Sequence, residues 1–77
     1  MILYLVWQDE NNDYDTYDSF VVCAENEEEA KNTHPDGDGN WRRCTWASSP
    51  EKVKCELIGT ASDNVERGIV IASFNAG

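Results

Sequence analysis

The sequence predicts an α+β fold of order β-β-α-β-β: one four-stranded, mostly antiparallel sheet with one short helix and a long loop. Three observations predict it. Four short runs are rich in β-forming residues and bounded by turn chemistry. A single acidic stretch has the residues of a helix start and is stopped by a proline. The 77 residues suffice for one domain only, 1–77, near the lower size limit for unaided folding. Val, Ile, Leu and Phe make 15 of the 77 residues, which with a net charge of −9 borders on the disordered class. Three Trp and three Tyr pull the chain back towards a folded domain with a thin core.

The first strand is Ile2-Leu3-Tyr4-Leu5-Val6-Trp7. Leu3, Leu5 and Trp7 share one face and Ile2, Tyr4 and Val6 the other, so both faces are apolar. That pattern belongs to a central strand, or to one covered on each side. A polar connection over residues 9–18 has no helical or strand period. Ser19 to Ala24 follows as the second strand, which makes an antiparallel hairpin with a long tip. Asn26 is then a helix N-cap, with Glu29 three residues on as a capping box requires. Glu27, Glu28 and Glu29 complement the helix dipole, and Pro35 ends the helix about two turns later. A helix this short is stable only when docked on the sheet, which Ala30 allows.

Residues 35–52 form the long loop, with Ser49-Pro50-Glu51 as a single helical turn. Val53-Lys54-Cys55-Glu56-Leu57-Ile58 alternates, which turns Val53, Cys55 and Leu57 to the core. Residues 59–67 turn the chain about Ser62-Asp63-Asn64, and residues 68–74 form the last strand, nearly apolar on both faces.

Charge is unevenly distributed. Residues 1–40 hold eleven acids and one base, a sum of −10, whereas residues 41–77 sum to +1. Such a balance excludes a basic nucleic-acid binder or a binder of anionic membranes. The acids fall on the hairpin tip (Asp9, Glu10, Asp13, Asp15, Asp18) and around the helix start (Glu25, Glu27, Glu28, Glu29), with Asp36 and Asp38 in the turn beyond. For any one acid, solubility and dipole matching are sufficient reason. Crowding them is costly in a small fold, and dense carboxylates imitate the phosphates of duplex DNA, which carries one charge per ~1.7 Å. Tyr14 and Tyr17 stand among the tip acids as rigid aromatic anchors for a protein interface.

Metal chemistry is weakly supported. Asp9-x-Asn11-x-Asp13-x-Asp15 follows a calcium loop only superficially, with Tyr14 where the loop needs Gly and Phe20 where it needs Glu. One His and three scattered Cys have no zinc spacing. Neither metal nor cofactor is expected. Nor is an enzyme: His34 is the lone histidine, suited to capping or solvent at a helix end, and no nucleophile elbow or phosphate loop occurs. Cys44 beside Arg43 is one basic neighbour, not an active site. The odd number of cysteines, without a C-x-x-C pair or a recognisable leader, suits reduced thiols in a cytosol, with Cys23 and Cys55 as core residues. Trp41-Arg42-Arg43-Cys44-Thr45-Trp46 closes a thin core on one reading. On another, Trp41, Arg42, Arg43 and Trp46 stack a nucleobase and hold a phosphate.

Tyr17-Asp18-Ser19-Phe20-Val21-Val22, the helix start around Glu25 to Ala30, His34-Pro35-Asp36-Gly37 and the ending Ala72-Ser73-Phe74-Asn75-Ala76-Gly77 resemble a group of small acidic proteins encoded by bacteriophages and prophages. The resemblance spans most of the chain except residues 38–50. It implies a phage protein acting in the host cytoplasm, and such proteins are often inhibitors of host defence, including anti-CRISPR proteins and DNA mimics.

The sequence is therefore read as a non-enzymatic inhibitor that meets a host nucleic-acid-handling defence protein through an acidic, DNA-mimicking surface. Its contacts are Asp9, Glu10, Asp13, Tyr14, Asp15, Tyr17 and Asp18, with Glu25, Glu28 and Glu29 as a second patch. It binds neither nucleic acid directly nor a membrane, and a homo-oligomer is compatible with it. The alternative is a nucleotide-binding sponge for an immune signalling molecule, built on the Trp41–Trp46 loop in an oligomer. A structural or regulatory phage component is a third reading.

Overall fold

The computed structural model describes residues 1–11, 15–37 and 41–75, the side chain of Asn75 excepted. Strands β1 (Ile2–Trp7), β2 (Thr16–Ala24), β3 (Lys54–Thr60) and β4 (Gly68–Asn75) form one sheet. Its order is β3-β1-β2-β4, every neighbouring pair being antiparallel. Helix α1 (Glu27–Lys31) and a 3-10 turn (Pro50–Lys52) complete the described elements. The α+β architecture and element order are those the sequence predicts.

β1 is central, as its two apolar faces require. Pairing sets Tyr4 opposite Val22 and Val6 opposite Phe20. All four are buried on the face that α1 and the loop cover, together with Ala30, Trp46, Ala47 and Val53. The opposite face is left open. There Leu3, Leu5 and Val21 are half-buried, and Ile71, opposite Val21, is 66 % exposed. Cys23 is sealed on that side, beneath the turn that carries Val65.

Local chemistry explains the elements. Asn26 Oδ1 accepts the Glu29 N–H at 2.8 Å, capping α1. The helix ends at Lys31, short of Pro35, because Asn32 and Thr33 turn their side chains back onto the Glu28 and Glu29 carbonyls. Two boundaries differ from expectation. β2 starts at Thr16 rather than Ser19, since Tyr17 pairs with Phe74 and its N–H donates to the Thr45 carbonyl at 2.8 Å. β3 starts at Lys54, and Leu57, although paired with core-facing Tyr4, is 59 % exposed rather than buried. The register shift between Leu3 and Tyr4 leaves Ile58 as an extra residue in β3, and at this edge little covers the Leu57 side chain.

Candidate functional site

The hairpin tip is organised by Gln8. Its buried amide donates to the Asn11 and Tyr17 carbonyls and accepts the Glu10 and Asn11 N–H groups, at 2.7–3.1 Å. Asn11 in turn donates to the carbonyls of Arg43, Cys44 and Trp46, tying the tip to the loop. Sequence reasoning missed Gln8 and met Asn11 only within a superficial calcium-loop pattern, because each looks like an ordinary polar member of a connection.

Several tip carboxylates have internal roles. Asp9 Oδ2 lies 2.7 Å from Lys54 Nζ, and that hydrogen-bonded cation holds the carboxyl below its ordinary pKa. Glu10 accepts the Ser48 N–H at 2.9 Å, and its pKa is lowered by hydrogen bonding to the Ser48 side chain first and to that N–H second. Asp15 and Asp18 are exposed and make no ion pair among the described residues. Asp13, Tyr14 and Asp38 lie outside the described residues. Tyr17 is not the exposed anchor expected of it. Its ring packs edge-on against Phe74 at 4.8 Å and its phenol faces Asp36, with burial the first cause of its raised pKa. The strand begins early enough to carry this side chain onto the core side of the sheet.

The Trp loop is a core closure. Trp46 is wholly buried, 5.3 Å from the Phe20 ring. Trp41 Nε1 donates to the Ala47 carbonyl at 2.8 Å, and its ring meets the edge of His34. Arg42 pairs with Asp36 at 3.4 Å, while Arg43 is exposed. With Trp46 enclosed and Trp41 engaged, the two indoles form no open stacking platform for a nucleobase. His34 is buried rather than capping or solvated: Asp36 N–H donates to Nδ1, and Nε2 meets the Arg42 carbonyl at 2.7 Å. That network assigns the proton to Nε2 and fastens the loop.

The two acidic groups do not merge. β2 separates the tip from the helix start by about 26 Å of extended chain. The topology instead gathers a different set. Residues 61–67 turn the chain between β3 and β4 beside the start of α1, where Arg67 meets Glu25 and Glu29, the latter at 3.2 Å. Asp63 and Glu66 are exposed on this turn. The two segments joined by Arg67, residues 25–31 and 61–67, together carry six carboxylates, Glu25, Glu27, Glu28, Glu29, Asp63 and Glu66, against Lys31 and Arg67, a net of −4. At the tip, Asp9 meets Lys54 directly and Glu10 feels Lys52 through space, which leaves Asp15 and Asp18 as the described carboxylates without an ion pair among the described residues.

Glu27 and Glu28 are exposed without an ion pair among the described residues. They line a groove of about 430 Å³ between α1 and the 3-10 turn, with Lys31, Asn32, Pro50 and Glu51. The sequence signalled Glu25, Glu28 and Glu29 but not Asp63 or Glu66, which sit in the half with balanced charge. Only the β3–β4 connection brings them across.

Among the described residues, no three or more His, Cys, Asp or Glu side chains are grouped to hold a metal ion. No described helix is long and apolar enough to cross a membrane. No family model matches the chain, and neither does any curated protein or solved structure.

Proposed function

We propose that this protein is a non-catalytic inhibitor that docks on the basic, nucleic-acid-binding surface of a host defence protein, anti-CRISPR-like in action. The observation that supports it best is the helix end, where Arg67 joins two acidic segments that together carry six carboxylates and Glu27 and Glu28 stand free of ion pairs among the described residues. Fixed carboxylates on a rigid end attract a cationic groove over a Debye length and orient the encounter, as phosphates do. The tip, with Asp15 and Asp18, is a second and weaker acidic pole. The resemblance to small acidic phage proteins supports a bacterial host and its cytoplasm as the setting.

The test is a charge reversal at each pole, read against a purified CRISPR effector complex binding its DNA target. Glu27→Lys with Glu28→Lys and Asp63→Lys is expected to abolish inhibition, and Asp15→Lys with Asp18→Lys to weaken it. Full inhibition by a folded helix-end triple variant overturns the reading.

A further inference from the structure

Two strands edge the sheet, and they are built differently. β3 carries Lys54 and Glu56, holds the extra residue Ile58 and packs against α1. These are the usual means of blunting an edge. β4, Gly-Ile-Val-Ile-Ala-Ser-Phe-Asn, has no charge and no proline. Val70, Ile71 and Phe74 are 51 %, 66 % and 45 % exposed. A register shift at Val70 leaves Ile71, Ala72 and Ser73 regular opposite Val21, Phe20 and Ser19. A shallow depression of about 360 Å³ on the open face, lined by Leu5, Val21 and Ile71 among others, adjoins this stretch.

Charge brackets the edge. Asp15 precedes Thr16, the partner of Asn75, and Asp18 is the unpaired residue between Tyr17 and Ser19, opposite Phe74 and Ser73. At the other end Glu66 and Arg67 lead into Gly68, and Arg67 is held by Glu25 and Glu29, so the acids there outnumber the one base. A second copy of this chain is therefore a poor occupant. Antiparallel pairing of two β4 strands sets Asp15 and Asp18 of one copy against an end of the other where Glu25, Glu29 and Glu66 outnumber Arg67. Parallel pairing sets each group against itself.

We infer that β4 is a docking edge, which takes up an extended segment of a cationic partner, apolar at its centre and bearing Lys or Arg at both flanks. The inference rests on the reading of the chain as a binder of basic proteins, and it adds where the partner's backbone lies. Main-chain hydrogen bonds supply pairing along 71–74, one apolar side chain folds over Ile71 towards Leu5 and Val21, and the flanking cations meet the two acidic poles.

The experiment titrates the full chain with two synthetic peptides that share an alternating Val/Thr centre, one flanked by Lys and one by Glu. Amide shifts and hydrogen exchange are followed by NMR. The Lys-flanked peptide is expected to shift and protect the β4 amides, with affinity falling as salt rises. Ile71→Lys, at an exposed position, is expected to weaken it roughly tenfold or more. The Glu-flanked peptide should leave the spectrum unchanged. Equal binding of both peptides, or a chain that dimerises through β4 without peptide, overturns the inference. Shifts confined to Glu25–Glu29 and Asp63–Glu66 overturn the docking edge but leave the acidic reading standing. No shift anywhere removes both.

Discussion

Replacing Trp46 with phenylalanine should cost less stability than the same change at Trp41, although Trp46 is the more deeply buried. Trp46 is 0 % exposed and its Nε1 finds no acceptor among the described residues. Shrinking the indole to a phenyl ring leaves roughly 40 Å³ of space, a cost of about 1 kcal/mol at 24 cal per Å³, and loses about 1 kcal/mol more of apolar burial. It also removes a buried donor whose missing bond costs about 1–3 kcal/mol. The two effects offset, so Trp46→Phe should fall within about 1 kcal/mol of neutral. Trp41 differs because its Nε1 donates to the Ala47 carbonyl at 2.8 Å. Trp41→Phe strands that carbonyl and loosens the edge contact with His34, for a loss of about 1–3 kcal/mol. Urea unfolding followed by far-UV circular dichroism gives both values from the midpoints. Trp46→Ala is the control for burial itself, with a loss of about 3–5 kcal/mol. A Trp46→Phe variant less stable than Trp41→Phe refutes the reasoning about the orphaned donor.

Three further outcomes concern the glycines, one carboxylate and the thiols. Gly37 has φ +76°, and a Cβ at this position would meet only Ile69 Cδ1, at 3.8 Å, so Gly37→Ala should lose about 1–2 kcal/mol by backbone strain alone. Gly59 faces open space, and Gly59→Ala should change the urea midpoint by no more than the equivalent of about 0.5 kcal/mol. Asp9 should titrate below 3.8 in the folded protein because Lys54 stabilises its charged form. Its contribution is present above the unfolded pKa and lost as pH falls through the lowered folded value; Lys54→Met should return the carboxyl resonance to an ordinary midpoint by NMR. The thiols should react with an alkylating reagent in the order Cys44, Cys55, Cys23, as followed by mass spectrometry. Cys44 is exposed, burial and then Glu27 raise the Cys55 pKa, and Cys23 is buried. Early modification of Cys23 contradicts the turn over residues 61–67 as its cover.

Much of the fold was legible because local rules and tertiary demands agree. The two apolar faces of β1 required a central position, and Asn26 with Glu29 placed the start of α1. Where the reading failed, contacts distant in sequence decided. Thr16 and Tyr17 look like loop residues until β4 and the Thr45 carbonyl pair with them. Leu57 obeys the alternation of a core strand, yet the edge it occupies leaves it uncovered. The acidic character was legible from the counts, but its geography only in part. The sequence named the tip and the helix start as two patches, which β2 holds apart, but carried no sign that Arg67 would tie the β3–β4 turn, with Asp63 and Glu66, to the second. Tyr17 and Trp46 were ambiguous as isolated letters, since a large aromatic serves a thin core and a binding surface equally well. Pairing partners resolved both towards the core.

The central claim is that carboxylates at the helix end stand in for nucleic acid on a cationic surface. A direct measurement is competition on a purified CRISPR effector complex, with labelled duplex target DNA and increasing amounts of this protein, followed by fluorescence anisotropy. Mutually exclusive binding is predicted, weakened as salt rises and lost in the Glu27→Lys, Glu28→Lys, Asp63→Lys variant. A complex that holds DNA and this protein at the same time contradicts it.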